Sequence, residues 1–426
     1  MRKAIVIGGK RLEGKVAVSG SKNSALPILA ATVLLSGETT LTNIPFLNDV
    51  VTMLRVLRAL GLKAEYHEPN TVKLVTNHTI KHVAPYELVT KMRASFFIIG
   101  PILARMGLAK VPLPGGCAIG SRPVDLHIKG LKALGAKVEM EHGFIIVKAD
   151  KLKGGKVYLD FPSVGATESV MMASTLAEGE TVIENAAQEP EIVDLANFLH
   201  KAGARIVGAG TNTITVNGVS RLKGVEYSII PDRVEAGTLM VASAITGGDV
   251  KISNVIPEHV EAVTRKLQEC EVAVEVSDGA IRVKANKRPK AVDVKTSPYP
   301  GFPTDMQPQI AALLSVAEGT SIITESIFEN RFMHVHELRR MGANIKLEDK
   351  SAIITGVKNL SGAPVRATDL RAGAALILAG LVADGTTVVY DVERFIDRGY
   401  ERFVDKLSGL GAKIKDMGEN GESNGQ

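Results

Sequence analysis

One pattern recurs six times along the chain, about every 70 residues, and a repeat of that length sets the fold before any local reading. Its first half is a helix of small apolar residues running into a glycine turn and a β-branched strand. Ser24 to Ile44, Gly165 to Ala186, Glu235 to Val255, Asp305 to Ile327 and Arg371 to Val392 carry it, and Lys91 to Pro112 is a looser copy. The second half is an amphipathic helix ending in Leu-Gly-Ala or a variant, followed by an alternating strand; the copies start at Val51, Val124, Ile192, Val260, Val335 and Tyr400. Apolar residues at i, i+3, i+4 and i+7 predict one buried face, and the glycine predicts a left-handed cap. Gly61, Gly135, Gly203, Gly342 and Gly411 hold that place, and Cys270 is read as filling it in the fourth copy, which makes Cys270 structural. Six such units are too many for one core. Three plus three predicts two similar domains with a ligand in the cleft between them.

A chain of 426 residues, 45% hydrophobic, can bury two or more cores. With 23% charged residues, a net charge of +5 and no run of arginine or lysine, it is not expected to bind nucleic acid, and the charge fits a local anion site better. The start turns polar too early for a signal peptide, and the apolar stretches Ser95 to Ala104 and Ala372 to Ala383 are too short to span a bilayer. The expectation is a cytoplasmic chain with no membrane contact. Two cysteines make no disulfide framework, Asn77-His-Thr79 is a glycosylation sequon without meaning unless secreted, and the tail from Gly418 reads as disordered.

Cys117 lies in Pro114-Gly-Gly-Cys-Ala-Ile-Gly120-Ser-Arg122, where mobile backbone and a neighbouring cation favour a reactive thiolate. The loop alone is equally compatible with a small residue in a surface turn. Arg93, Arg122, Arg233, Arg331, Arg371 and Arg398 stand at the junctions between repeats. A helix dipole prefers an anion at its start, so an arginine there pairs with a carboxylate or binds an external anion. Any one of them is explained by a structural salt bridge; six in equivalent places favour an anion-binding cleft. Lys22 and Asn23 sit at the start of the first small-residue helix, without Walker A spacing. Asp305 begins the fifth copy, where an N-cap role alone also explains a carboxylate. His334 and His336 lack the third ligand that a metal site needs.

Taken in order, GSKNSALPILAA, PGGCAIGSRPVDLH, FPSVGATES, ENAAQEPEIVD, FPTDMQPQ, ENRFMHVHELRRMGA, ATDLRAGAAL and IDRGYER resemble the UDP-N-acetylglucosamine 1-carboxyvinyltransferase family of enolpyruvyl transferases, over about residues 3 to 417. The resemblance implies an α/β fold of two inside-out α/β barrel domains, each of three βαβαββ repeats, with the active site in the interdomain cleft. It implies domains of 22–230 and of 1–21 with 231–418, leaving 419–426 as tail. The implied reaction moves the enolpyruvyl group of phosphoenolpyruvate to the 3-hydroxyl of UDP-N-acetylglucosamine and releases phosphate, with no metal or cofactor, and the expected state is a monomer.

By the same resemblance, Lys22, Arg122 and Arg398 hold the phosphate, and Arg331 and Arg371 line the rest of the anionic pocket. Asn23 and Asp305 contact the sugar, Asp305 as the base, with Ile327 beside them. Arg93, Ser163, Val164 and Gly165 take the diphosphate, and Pro123, Val124, Asp125 and Leu126 the uridine. Cys117 is the implied general acid and the target of the epoxide fosfomycin, and the three glycines and two prolines between Val111 and Arg122 predict a lid there that closes when the nucleotide sugar binds. Phe161 stands where many members have a lysine near the uracil, so that part of the site rests on apolar contact and backbone. Two rivals are an enolpyruvyl transferase acting on shikimate 3-phosphate and a non-catalytic nucleotide-sugar-binding relative. Fosfomycin is expected to label Cys117 and spare Cys270; peptide mapping with the label mainly on Cys270 would overturn that assignment.

Overall fold

The computed structural model describes residues 2–76, 80–113 and 124–418. Cys117, Arg122, Pro123, most of the expected lid, the Asn77–Thr79 sequon and the tail 419–426 lie outside the described residues. Two compact units are present, one covering residues 20–76, 80–113 and 124–230, the other 2–19 and 231–418.

In the second unit the fifth copy shows the repeat in full. A leading strand, Val294–Lys295, is followed by helix Gln307–Leu314, strand Thr320–Thr324, helix His334–Arg340 and the hairpin of Asn344–Glu348 with Ser351–Thr355. The leader runs parallel to Thr320–Thr324, and the hairpin adds antiparallel through its second strand. The fourth and sixth copies keep this order but borrow from the chain's start. Glu13–Ala17 leads beside Asp249–Ser253, and Lys3–Ile7 sits between Thr386–Tyr390 and Lys413–Met417.

The first unit follows the same plan. Leu222–Lys223 and Glu226–Ser228 lead the first copy, parallel to Leu35–Thr42, and Lys156–Tyr158 leads the third, parallel to Glu180–Glu184. The looser second copy has a three-stranded sheet, with the single bridge Val83–Lys110 in the leader's place, and its first helix is split into a turn, Arg93–Ile98, and helix Ile99–Met106.

A helix apolar on every side has to be buried on every side. Lys22–Ala31, Val164–Ser174, Arg233–Ile245, Gln307–Leu314 and Leu370–Val382 are accordingly buried almost throughout. The second helices, such as Glu261–Glu269, bury one face, and strands such as Thr71–Thr76 alternate. The α/β expectation holds with the small-residue helices innermost. Small residues permit their close approach: a Cβ on Gly100 would fall 2.7 Å from the Ser169 carbonyl oxygen, and one on Gly237 2.9 Å from the Met306 sulfur. Among the described residues no helix is long and apolar enough to cross a membrane.

The register at Cys270 differs from expectation. The five glycines are left-handed, with φ from 86° to 109°, but in the fourth copy the left-handed residue is Glu271, at φ 62°. Cys270 has φ −72° and fills the place of the apolar residue that precedes each glycine. It is wholly buried, and burial pushes its thiol up to about 12, so its structural role stands on packing. A side chain at a left-handed position costs about 1–2 kcal/mol, part of which glycine returns through its freer unfolded chain. Glu271→Gly is therefore expected to stabilise the unit by about 0.5–1 kcal/mol; a lower melting temperature would show that the Glu271 side chain contributes something the cap geometry does not.

Candidate active site

In the unit of residues 231–418, the site is organised around Asp305. The residue lies in a single 3₁₀ turn, Thr304–Met306, that opens into helix Gln307–Leu314, and neither start has a side-chain cap. The N-cap reading of Asp305 is thus overturned, because its carboxylate is engaged elsewhere. Oδ1 accepts from Arg331 Nη2 at 3.0 Å, and Oδ2 accepts from Arg371 Nε at 3.1 Å and Nη2 at 2.9 Å. Both arginine side chains are 2% exposed and Asp305 is 31% exposed. Burial alone disfavours charge on Arg371, yet Asp305, with Tyr400 and Asp232, holds its pKa above the usual range.

The helix starts beside these arginines are satisfied independently. Asp369 Oδ1 accepts from the backbone of Arg371 and Ala372, and Asp232 Oδ1 from Val234 and Glu235. The arginine side chains at these starts are thereby left for other acceptors, as their position predicted. The Arg371 guanidinium lies 5.2 Å from the Tyr400 ring centre, and Tyr400 is held through its hydroxyl by Gln309 Nε2 at 3.0 Å and Thr238 Oγ1 at 3.1 Å. Arg398 ends the turn Ile396–Arg398, which packs onto the same place: a Cβ on Gly399 would fall 3.6 Å from Arg371 Nη1 and 2.3 Å from Leu370 Cδ1.

Glu325, which the sequence reading missed, sets the neighbouring backbone. Its Oε1 accepts from Ile327 N at 2.8 Å, Phe328 N at 3.2 Å and Thr296 Oγ1 at 2.9 Å, and its Oε2 from Thr304 Oγ1 at 3.0 Å. Ile327 and the turn carrying Asp305 are thus tied to one buried carboxylate. The available signal was an acidic residue closing an apolar strand. His334 is fully buried, and burial pushes its imidazole down to about 4, against the pull of Asp369 and with the help of Arg331, so it is neutral.

In the other unit, Lys22 opens helix Lys22–Ala31, next to Asn23, with Ser21 Oγ capping Ser24 N at 3.3 Å. Lys22 is 7% exposed, and its Nζ is 3.4 Å from Asp49 Oδ2. The turn that begins at Arg93 packs against this helix and against Val164–Ser174. Ser163 caps the latter, accepting from Ala166 N at 3.4 Å, and Val164 is its first residue. Val124 precedes helix Asp125–Ala133, which starts with Asp125 and Leu126. His127 joins these two starts: a Cβ on Gly165 would meet its Cε1 at 3.1 Å, and its Nδ1 is 2.8 Å from Ser169 Oγ. Phe161 is 43% exposed, and its carbonyl accepts from Ser163 N at 2.7 Å. Deeper in the unit, Glu168 is fully buried with no partner for either oxygen, and burial, with Glu191 and Glu189, holds its carboxyl well above the usual range.

Residues 6–407 match the EPSP synthase family (3-phosphoshikimate 1-carboxyvinyltransferase), and the chain belongs to it. Within that class it is 58% identical over 413 residues to the UDP-N-acetylglucosamine 1-carboxyvinyltransferase 1 of Caldanaerobacter subterraneus subsp. tengcongensis, covering 97% of this chain and 99% of that one. The UDP-N-acetylglucosamine 1-carboxyvinyltransferase of Geobacter metallireducens is 55% identical over 419 residues, covering 98% and 100%. Among solved structures, the enolpyruvyl transferase NikO from Streptomyces tendae superposes with a TM-score of 0.88 at 25% identity, over 97% of this chain and 98% of that one. An EPSP synthase from Acinetobacter baumannii shares the fold, with a TM-score of 0.76 at 20% identity over 98% and 100%.

The pairing of Asp305 makes its removal a test of the site's electrostatics. Asp305→Ala removes the carboxylate that two buried cations share and is expected to cost about 2–3 kcal/mol, below the 3–5 kcal/mol of a fully buried pair because Asp305 is 31% exposed and Tyr400 and Asp232 still act on Arg371. Melting curves of Asp305→Ala and Arg371→Met/Asp305→Ala read this; a double variant no more stable than Asp305→Ala would refute the coupling.

Proposed function

We infer that the chain transfers the enolpyruvyl group of phosphoenolpyruvate to the 3-hydroxyl of UDP-N-acetylglucosamine and releases phosphate, an early step toward peptidoglycan precursors. The observation that carries this is full-length identity of 58% to a relative of that name, against 20% to an EPSP synthase. The family match alone fits shikimate 3-phosphate equally well, so acceptor identity rests on the closer relatives.

The first step forms a bond from the sugar oxygen to C2 of phosphoenolpyruvate while the methylene carbon gains a proton. The second removes a methyl proton and expels phosphate, restoring the double bond. Asp305 takes the hydroxyl proton, and Cys117 supplies the carbon proton. Phosphoenolpyruvate brings a carboxylate and a phosphate. They compete with Asp305 for Arg331 and Arg371, and this competition frees a carboxylate oxygen for the hydroxyl. Lys22, Arg122 and Arg398 take the phosphate, Asn23 and Ile327 the sugar, Arg93 with Ser163 to Gly165 the diphosphate, and Pro123 to Leu126 the uridine. The chemistry draws on no metal or cofactor. Both proposed substrates are water-soluble anions, which is compatible with the cytoplasm, and we assign the enzyme there as a monomer sensitive to fosfomycin.

Phosphate release is expected with phosphoenolpyruvate and UDP-N-acetylglucosamine together and not with shikimate 3-phosphate; the reverse preference sinks the assignment. Arg398→Ala removes a charge-assisted contact of about 1.5–3 kcal/mol and should raise KM for phosphoenolpyruvate about ten- to a hundred-fold. Calorimetric binding of UDP-N-acetylglucosamine should be unchanged, and an equal loss for both ligands would make Arg398 structural.

A further inference from the structure

A residue at the far end of the chain reaches the turn that carries Arg398. Arg2 immediately precedes strand Lys3–Ile7, which is flanked by Thr386–Tyr390 and Lys413–Met417. Its guanidinium forks, Nη1 donating to Asp397 Oδ2 at 2.7 Å and Nη2 to Asp416 Oδ2 at 2.6 Å. Its carbonyl oxygen accepts from Val392 N at 3.3 Å, at the start of the short helix Val392–Phe395 that runs into the turn Ile396–Arg398. Backbone and side chain of one residue therefore hold both ends of the segment 392–397.

That segment has little to stabilise it locally. The helix has four residues, and neither it nor the turn has a side-chain cap bond. Helices so short are marginal without tertiary support. The side chains of Arg2, Asp397 and Asp416 are 30%, 26% and 19% exposed, so this fork is better shielded than a surface pair. Burial pushes the Asp397 carboxyl up to about 6, Arg2 pulls it down, and Asp416 and Glu393 push it up. Arg394 is the cation on the segment, and Arg398 follows that segment directly. Arg2 is the cation that lowers the Asp397 pKa, and without it Asp397 would face Asp416 and Glu393.

We propose that Arg2 is a positioning residue for enolpyruvyl transfer, setting through Asp397 the turn that aims Arg398 at the phosphate of phosphoenolpyruvate. The proposal rests on the assignment of Arg398 to that phosphate. Arg2→Ala, Arg2→Lys, Asp397→Asn and Arg398→Ala are compared in the full chain. Arg2→Ala and Asp397→Asn are each expected to raise KM for phosphoenolpyruvate about ten-fold with KM for UDP-N-acetylglucosamine unchanged, and the double variant to be no worse than either. Arg2→Lys, which can keep one of the two bonds, should recover about a third of that loss on a logarithmic scale.

In the parent, KM for phosphoenolpyruvate should rise below about pH 6 as Asp397 takes up a proton and releases Arg2. The substrate phosphate also titrates near pH 6, so each variant is compared with the parent at the same pH; the Asp397 component should be missing from Asp397→Asn. A merely structural Arg2 would lower the melting temperature while leaving the ratio of the two KM values and the pH profile unmoved, and that result overturns the proposal. If Arg398→Ala leaves KM for phosphoenolpyruvate unchanged, the phosphate assignment fails first and takes the proposal with it.

Discussion

Two guanidiniums buried to 2% exposure and one carboxylate between them govern the arrangement of the second unit. A buried cation is tolerated only when paired and hydrogen-bonded, and Asp305 serves both Arg331 and Arg371. This demand reaches outward. Asp305 bridges the arginines and its own helix has no side-chain cap, Asp369 and Asp232 cap the helices that carry Arg371 and Arg233, and Glu325 ties down the turn that carries Asp305. Tyr400 closes the far side of Arg371, itself held by Thr238 and Gln309.

The repeat explains why chemistry collects at helix starts. Each central helix is buried along its length, so its first turn is the place where polar side chains can be presented without breaking the core. Lys22 and Asn23, Ser163 to Gly165, Asp305 and Arg371 all occupy that place in different copies. Backbone N–H groups left over at such ends favour anions, and lysine and arginine add the charge that phosphates and carboxylates need. One supersecondary unit, copied, thus supplies equivalent positions that different side chains then specialise.

Much of this was legible in the sequence because it is local. Helical periodicity, glycine caps and β-branched strands depend on neighbours a few residues apart, and they located the repeats, the small-residue helices and five of the six left-handed ends. The ordered motifs led to the family. The register of Cys270 was misread by one residue because no glycine marked the cap, and only backbone geometry shows Glu271 there. His127 and Glu325 went unnoticed since nothing in their immediate neighbours distinguishes a site-organising group from an ordinary polar residue.

The sequence by itself determined the repeat, the helix and strand types, and the residue kinds available for anion chemistry, because these follow from spacing along the chain. Tertiary structure alone decided that Asp305 bridges arginines 26 and 66 residues away, and that Arg2 meets Asp397 across 395. Such pairs form only where packed elements bring distant side chains within hydrogen-bond range and away from water. Which of many possible partners wins is set by burial, a property of the whole unit that no short window of sequence contains.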